Sequence, residues 1–301
     1  MSHRSGASSP TATGDINFDV AASQCPVSTT RKQAVDIDAF IDRPSVARAN
    51  VAPSTQNPHG SVDFYPSEKM SYTVLQQHVR FWDRDDDGAI YPWDTYRGFR
   101  ELGFNMIFSL LSVFIIHSGL SYPTRLAFSL FPDPWFRVYV RSIHKAKHGS
   151  DSGTYDTEGR FVPQKFEDMF SKWDNQQRGS LSAGQLLNMI KGHRLAVDPF
   201  GWFAALFEFG STWLLVQQDG RVSKEDLRQV YDGSLFWRIR QTKMDGKPWT
   251  KGFGVMDLGK LAVRQADRLQ VMLLRFRHEF NQKFRADPRV MRTWPSAKVK
   301  K

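Results

Sequence analysis

Five carboxylates crowd into one twelve-residue stretch, Asp83-Arg84-Asp85-Asp86-Asp87-Gly88-Ala89-Ile90-Tyr91-Pro92-Trp93-Asp94. The D-x-D-x-D-G spacing is that of an EF-hand calcium loop. Asp83, Asp85 and Asp87 offer three carboxylates to a hard cation, Gly88 permits the sharp turn at the sixth position, and Ala89 presents a backbone carbonyl at the seventh. Ile90 is the apolar residue expected to pair with a partner loop. The twelfth position holds Asp94 where Glu is usual, and the shorter carboxylate predicts weaker calcium affinity and some tolerance of magnesium. The competing reading is an acidic loop that caps the helix starting near Pro92, where a missing N–H costs nothing.

Imidazoles are the second chemical resource. Of the eight histidines, His78 lies five residues before the acidic loop, and His144 and His148 are four apart in His144-Lys145-Ala146-Lys147-His148-Gly149-Ser150-Asp151-Ser152-Gly153. Such side chains serve as metal or haem ligands and as proton carriers near neutral pH, or as satisfied structural groups. With one cysteine, Cys25, the chain has neither an intramolecular disulfide framework nor a Cys-based zinc site. It also lacks a c-type haem attachment motif, so any haem is held non-covalently. No nucleophile elbow, P-loop or Rossmann glycine pattern occurs.

The elements that position these residues read mainly as helices. The periodicity predicts Ser71–Trp82, one long helix from Pro92 to Leu120, Gln164–Trp173, Ala183–Lys191, Phe200–Val216, Lys224–Tyr231 and Met256–Arg285. Three stretches, Thr154–Lys165, Asp174–Gln185 and Leu215–Asp226, keep the loop grammar without the full ligand set and are expected to be metal-free partners that pair through short β-contacts. Leu102–Ile116 carries no charge. At 1.5 Å per residue that run is about 22 Å, short of a hydrocarbon core, and Pro123, Pro132 and Pro134 follow it. A bend and return suits this better than a crossing; a buried core helix and insertion into one lipid leaflet both remain open.

The ends differ from the body. Residues 1–69 are rich in Pro, Ser, Thr and Ala without sustained periodicity, and are expected to be a disordered tail. Residues 240–301 hold 16 Lys/Arg against 5 Asp/Glu, whereas the remaining 239 residues hold 25 against 26. The net charge of +10 is therefore a property of the C-terminal segment. There Leu258, Leu261, Leu269, Met272, Phe276, Phe280 and Phe284 share a helical face flanked by Arg264, Arg268 and Arg275. That pattern suits an anionic lipid surface or a helix packed on the body, and no nucleic-acid module accompanies it.

Taken together, Leu75–Phe81 (LQQHVRF), the acidic loop running into Tyr91–Phe99, Ser121-Tyr122-Pro123-Thr124, His144–Phe161 (HKAKHGSDSGTYDTEGRF), Phe170-Ser171-Lys172, Phe200-Gly201-Trp202 and Asp232–Phe236 (DGSLF) resemble the caleosin family of calcium-binding lipid-droplet proteins, which includes haem peroxygenases. The resemblance spans roughly residues 70–238. It implies a core at 70–239 containing an EF-hand at 83–94, an apolar segment at 102–120 and a histidine segment at 143–153, with a basic amphipathic segment after it. The implied fold is mainly α, with EF-hand-like helix–loop–helix units, one apolar helix and a proline bend. Pro123 stands nine residues from Pro132, a looser arrangement than the proline knot of plant members.

The resemblance further implies a calcium ion on Asp83, Asp85, Asp87, Asp94 and the Ala89 carbonyl, and haem b at His78 and His148, with His144 a less certain third. Either of the first two fits as axial ligand, leaving the other as acid/base. The reaction expected is transfer of oxygen from a fatty acid hydroperoxide to an unsaturated fatty acid or a sulfide. The expected location is the lipid droplet and endoplasmic reticulum or another endomembrane, facing the cytosol. A lipid monolayer or membrane surface is the expected partner, nucleic acid is not, and oligomeric state is left open. The rival classes are a non-enzymatic calcium-binding coat protein of lipid droplets and a soluble calcium sensor.

Overall fold

The computed structural model describes residues 49–61, 71–253, 271–272 and 274–275. Apart from 271–272 and 274–275, which are helical, the predicted helix Met256–Arg285 lies outside the described residues, as do most of the basic segment and residues 1–48.

Helix α1, Val74–Val79, begins with a reciprocal cap in which Thr73 and Gln76 satisfy each other's backbone N–H groups. The acidic loop follows and leads through the two-residue strand β1, Ala89–Ile90, into α2, Pro92–Leu102. The single long helix expected from Pro92 to Leu120 is in fact two. Gly103 ends α2 in the left-handed region at φ 101°, and Asn105 caps a new helix α3, Met106–Arg125, by accepting the Phe108 N–H. Pro123 stands in the last turn of α3. The chain then returns to the body as β2, Val138–Tyr139, which pairs antiparallel with β1 and sets Ile90 opposite Val138. Ile90 was expected to meet one of the degenerate loops; its partner is this returning strand.

A 3-10 turn at Val140–Ala146 carries the first half of the histidine segment. Helix α4, Pro163–Trp173, β3, Ser180–Ser182, and α5, Ala183–Gly192, form a second helix–loop–helix. Helix α6, Pro199–Val216, runs through β4, Arg221–Ser223, into α7, Lys224–Tyr231. The two units join where β3 pairs with β4 and Leu181 faces Val222, the short contact that the loop spacing predicts. Helix α6 ends at Val216, where its period predicts, and Asp219-Gly220, at φ 53° and 73°, turns the chain into β4. Helix α8, Ser234–Met244, completes the core. Its sequence, SLFWRIRQTKM, scatters charges among apolar residues and gives little periodic signal.

Residues 49–61, which the sequence groups with the tail, pack against this body. Ala49 bridges Phe161, Thr55 donates its N–H to Glu167 at 2.9 Å, and Ala52 and Ser54 are buried. Arg228 of α7 is fully buried and fastens the segment. It donates to the Ala52 carbonyl at 2.9 Å and to Ser61 Oγ at 2.8 Å while pairing with Asp232 at 2.9 Å. Composition alone could not show this, since these contacts reach across 112 to 176 residues.

Helix α3 is inverted relative to a soluble amphipathic helix. Its buried residues are Ser109, Ser112, His117, Ser121 and Thr124, while Met106, Ile107, Leu110, Leu111 and Phe114 face outward. Ser109, Ser112 and Thr124 satisfy their hydroxyls on backbone carbonyls one turn back, and His117 bonds Thr95 Oγ1 at 2.8 Å and the Phe136 carbonyl at 2.6 Å. Small and polar residues thus make its contact with the body, and apolar residues form its exposed face.

Candidate active site

The site is built from three directions. Helix α1 supplies His78. Its Nδ1 lies 2.6 Å from the Val230 carbonyl of α7, and its ring packs against Phe236, with centroids 5.4 Å apart, and Trp82, at 6.0 Å. An Nδ1–H donated to a carbonyl fixes the tautomer and leaves Nε2 as the nitrogen able to ligate or accept. Burial lowers the His78 pKa below 6.5, outweighing the Val230 carbonyl and the carboxylates of Glu208 and Asp232, so the ring is neutral. The turn into α8 can approach α1 so closely because position 233 is glycine: its φ is 75°, and an added Cβ would lie 2.9 Å from the His78 Cα.

The histidine loop supplies His148. Ser150 donates both its N–H and its hydroxyl to Asp198 Oδ2, each at 2.7 Å, and Ser150 Oγ accepts the Leu195 N–H at 3.1 Å. Asp198 in turn caps α6 through the Gly201 N–H at 2.8 Å. Lys147 anchors the other side on the carbonyls of Tyr155 and Asp156. These contacts explain why so many small and polar residues occupy 147–153: they clip the loop to the start of α6.

His148 consequently faces Glu208 across an Nε2–Oε2 distance of 3.8 Å, and its Nδ1 is buried without a hydrogen-bond partner. Burial opposes charge on this ring, but Glu208, Asp151 and Asp198 outweigh it and raise the pKa above 6.5. The two imidazoles thus sit on opposite sides of the ordinary value, as groups with different duties in one site do.

Both line one cavity of about 240 Å3. Its walls are overwhelmingly apolar, with contributions from Trp82, Phe99, Ile116, Phe207 and Phe236, and its polar lining includes Asp151, Ser152, Tyr231 and Glu208. Ser152 Oγ and Tyr231 Oη are 2.7 Å apart, and burial pushes the Tyr231 phenol up to about 12. His144 does not join the lining; it sits half-buried in the 3-10 turn, its pKa lowered by burial and by Lys145. Sequence reasoning missed Glu208 and Tyr231. Glu208 carried a signal, as the one charged residue in the eighteen of α6.

In the acidic loop, carboxylate oxygens of Asp83, Asp85 and Asp87 lie within 4.8 Å of one another, the one such cluster among the described residues. Asp83 is buried. Its Oδ2 accepts the Gly88 N–H at 3.1 Å and Arg80 at 3.3 Å, and its Oδ1 is buried without a partner. Burial raises its pKa against the pull of Arg80 and the Gly88 N–H, and Asp87 and Asp85 push the same way as burial. A crowded set of hard oxygen donors with an orphaned buried oxygen fits a divalent cation. Asp94 stands apart from the three, where its Oδ2 accepts the Tyr91 N–H at 3.0 Å and caps α2.

A family model described as "Caleosin related protein" matches residues 70–240. The chain belongs to the caleosin family. This caleosin is 39% identical over 227 residues to a protein of Lilium longiflorum named "Peroxygenase", covering 74% of this chain and 91% of that protein. It is 39% identical over 185 residues to the "Probable peroxygenase 4" of Arabidopsis thaliana, covering 60% and 91%. It is 30% identical over 149 residues to a "Probable inactive peroxygenase-like protein" of the same plant, covering 49% and 70%. No solved structure matches this caleosin.

Proposed function

We propose that this caleosin is a hydroperoxide-dependent peroxygenase, binding haem b non-covalently between His78 and His148 and calcium in the EF-hand loop 83–94, at the cytosolic surface of lipid droplets and the endoplasmic reticulum. The observation that carries this reading is the meeting of two histidines seventy residues apart in one apolar cavity, one neutral with a fixed tautomer, the other held toward its protonated form by carboxylates. Two relatives that cover most of their own length are named as peroxygenases or probable peroxygenases. The reaction converts a fatty acid hydroperoxide and an alkene to an alcohol and an epoxide, or oxygenates a sulfide.

The donor set fits a haem. His78 Nε2 would be the nitrogen offered to the iron, since Nδ1 is spent on Val230. The apolar walls would face the macrocycle, in a cavity of about 240 Å3 that lies below the roughly 300–1,000 Å3 of typical cofactor pockets. When bound, haem would supply the iron chemistry that cleaves the peroxide O–O bond. The chain's own part is to hold and deliver protons and to keep water out. His148 takes the proton from the hydroperoxide and returns it to the departing alkoxide oxygen, with Glu208 stabilising the imidazolium between the two transfers. The ring of Trp82, Phe99, Phe207 and Phe236 excludes water from the acyl chain.

In the loop, Asp83, Asp85 and Asp87 would hold the cation with the Ala89 carbonyl, and Asp94, which caps α2 in this structure, would join only by leaving the Tyr91 N–H. The outward apolar face of α3 and the exposed Leu130, Phe131 and Trp135 beyond it enter one lipid leaflet.

The test is the absorption spectrum of the haem-reconstituted protein and its His78→Ala and His148→Ala variants, with hydroperoxide-driven epoxidation assayed alongside. A Soret band shifted or lost in His78→Ala, and a retained band with lost turnover in His148→Ala, are the expected results. A wild type that takes up no haem would instead favour the second reading, a calcium-binding lipid-droplet coat protein without chemistry, which the inactive-named Arabidopsis relative keeps in view.

A further inference from the structure

The cavity and the outward apolar surface share two helices. Ile115, Ile116 and Leu120 of α3 face Phe200, Phe203 and Phe207 of α6 across one wall of the cavity. Phe200 and Phe203 belong to both surfaces: they line the cavity, yet are 43% and 50% exposed, beside Leu195, Val197 and Leu206 on the outside. At its inner edge Phe200 meets His148, with ring centroids 6.4 Å apart and planes at 79°. On α3 its ring lies over Gly119, where an added Cβ would fall 2.6 Å from Phe200 Cε2. The absent side chain at 119 leaves a notch, and the Phe200 ring occupies it.

We propose that the seam between α3 and α6 is a lateral portal through which an acyl chain passes from the lipid phase to the cavity, with Phe200 as its gate and Gly119 as the notch that seats the gate. The inference deepens the peroxygenase reading, on which it rests for the fate of the chain once inside. Three features identify the occupant. The seam reaches the surface at the partly exposed Phe200 and Phe203, beside Gly119 of the apolar helix α3, so on the lipid-surface reading proposed above a molecule arriving there arrives from lipid. A cavity of about 240 Å3 accepts a single hydrocarbon chain, whereas a peptide helix is about 10–12 Å across with its side chains. The polar groups of the cavity, including His78, His148 and Glu208, also await at the end of an otherwise apolar path, as a chain bearing one oxidised carbon requires. Access from lipid spares the acyl chain its transfer through water.

The experiment follows uptake of cis-parinaric acid, a fluorescent polyunsaturated fatty acid, from phosphatidylcholine vesicles by the full chain, with epoxidation measured in parallel. Phe200→Ala is expected to speed uptake and Phe200→Trp to slow it, each by about tenfold, the scale on which bulk in an apolar passage discriminates. Gly119→Ala should speed uptake by lifting the gate from its seat, and adding it to Phe200→Ala should change uptake no further. Circular dichroism identifies any variant that fails to fold, and the two Phe200 variants decide the matter without Gly119→Ala. Uptake indifferent to residue 200, or equally fast without vesicles, overturns the portal. Epoxidation surviving beside such indifference overturns the portal alone. Gate-dependent uptake with no epoxidation in any protein overturns the peroxygenase reading and upholds the portal.

Discussion

Glu208 is the residue on which the protonation of the site turns. The 3.8 Å between its carboxylate and His148 Nε2 exceeds a hydrogen bond, so the pairing acts through charge. Replacing it by Gln keeps the shape and removes the charge, leaving Asp151 and Asp198 as the carboxylates that raise His148, while Lys147 draws on Asp151 from 3.3 Å. Glu208→Gln should therefore lower the His148 titration midpoint, followed by NMR of the ring protons, and extend the active pH range on its acid side, since His148 must be neutral to take the hydroperoxide proton. The stability effect has a definite sign. Because the native pKa lies above 6.5, the wild-type contribution is complete below pH 6.5 and disappears as pH rises through the native pKa. The melting temperature of wild type should exceed that of the variant at pH 6 and converge on it in alkaline buffer. Equal His148 midpoints in the two proteins would refute the pairing.

At the scale of elements, the positions of His78 and of segment 49–61 both depend on the turn between α7 and α8. Gly233→Ala places a Cβ against the backbone of α1 in a left-handed conformation, a strain of about 1–3 kcal/mol. The expected outcome is a lower melting temperature together with weakened haem retention, since relief of the clash moves His78. A loss of stability with an unchanged haem spectrum would show that α1 yields elsewhere. Arg228→Met removes the cation from a buried Asp232 and detaches residues 49–61 from it; about 3–5 kcal/mol of stability should be lost, as measured by urea unfolding. Susceptibility to trypsin near Arg48 should rise as well.

Much of this scale was legible in sequence, because helices with an apolar stripe announce their period, as α4, α5 and α7 do. The break at Gly103–Asn105 was legible in principle from its capping residues. Helix α8 and the packed residues 49–61 were not, because their order comes from tertiary contacts and buried ion pairs that leave no periodic trace. The acidic loop could be read position by position since its carboxylates are close neighbours in sequence, whereas the pairing of His148 with Glu208 required the fold to bring two distant segments together.

For the whole molecule, the acidic loop and the apolar surface are mechanically adjacent: the loop leads through β1 and α2 to α3, and β1 is clamped to the strand that returns from α3. On the proposed reading, cation binding at Asp83, Asp85 and Asp87 fixes the base from which α3 projects. Asp83→Asn with Asp87→Asn should weaken flotation with lipid vesicles in calcium, and chelation should do the same to wild type. Flotation unchanged in both cases would separate the cation from lipid attachment. Retained hydroperoxide turnover in detergent would show at the same time that the cavity itself is intact.

The inverted polarity of α3 bears on how much of this protein a cell can hold. On the lipid-surface reading proposed above, a copy bound to lipid hides the outer face of the helix, and an unbound copy exposes Ile107 and Phe114, 75% and 71% accessible, to water and to its neighbours. Free copies would then compete between lipid, self-association and degradation, and every square nanometre of new lipid surface would shelter more of them. Abundance would follow lipid supply without any change in synthesis, with the helix itself acting as the gauge.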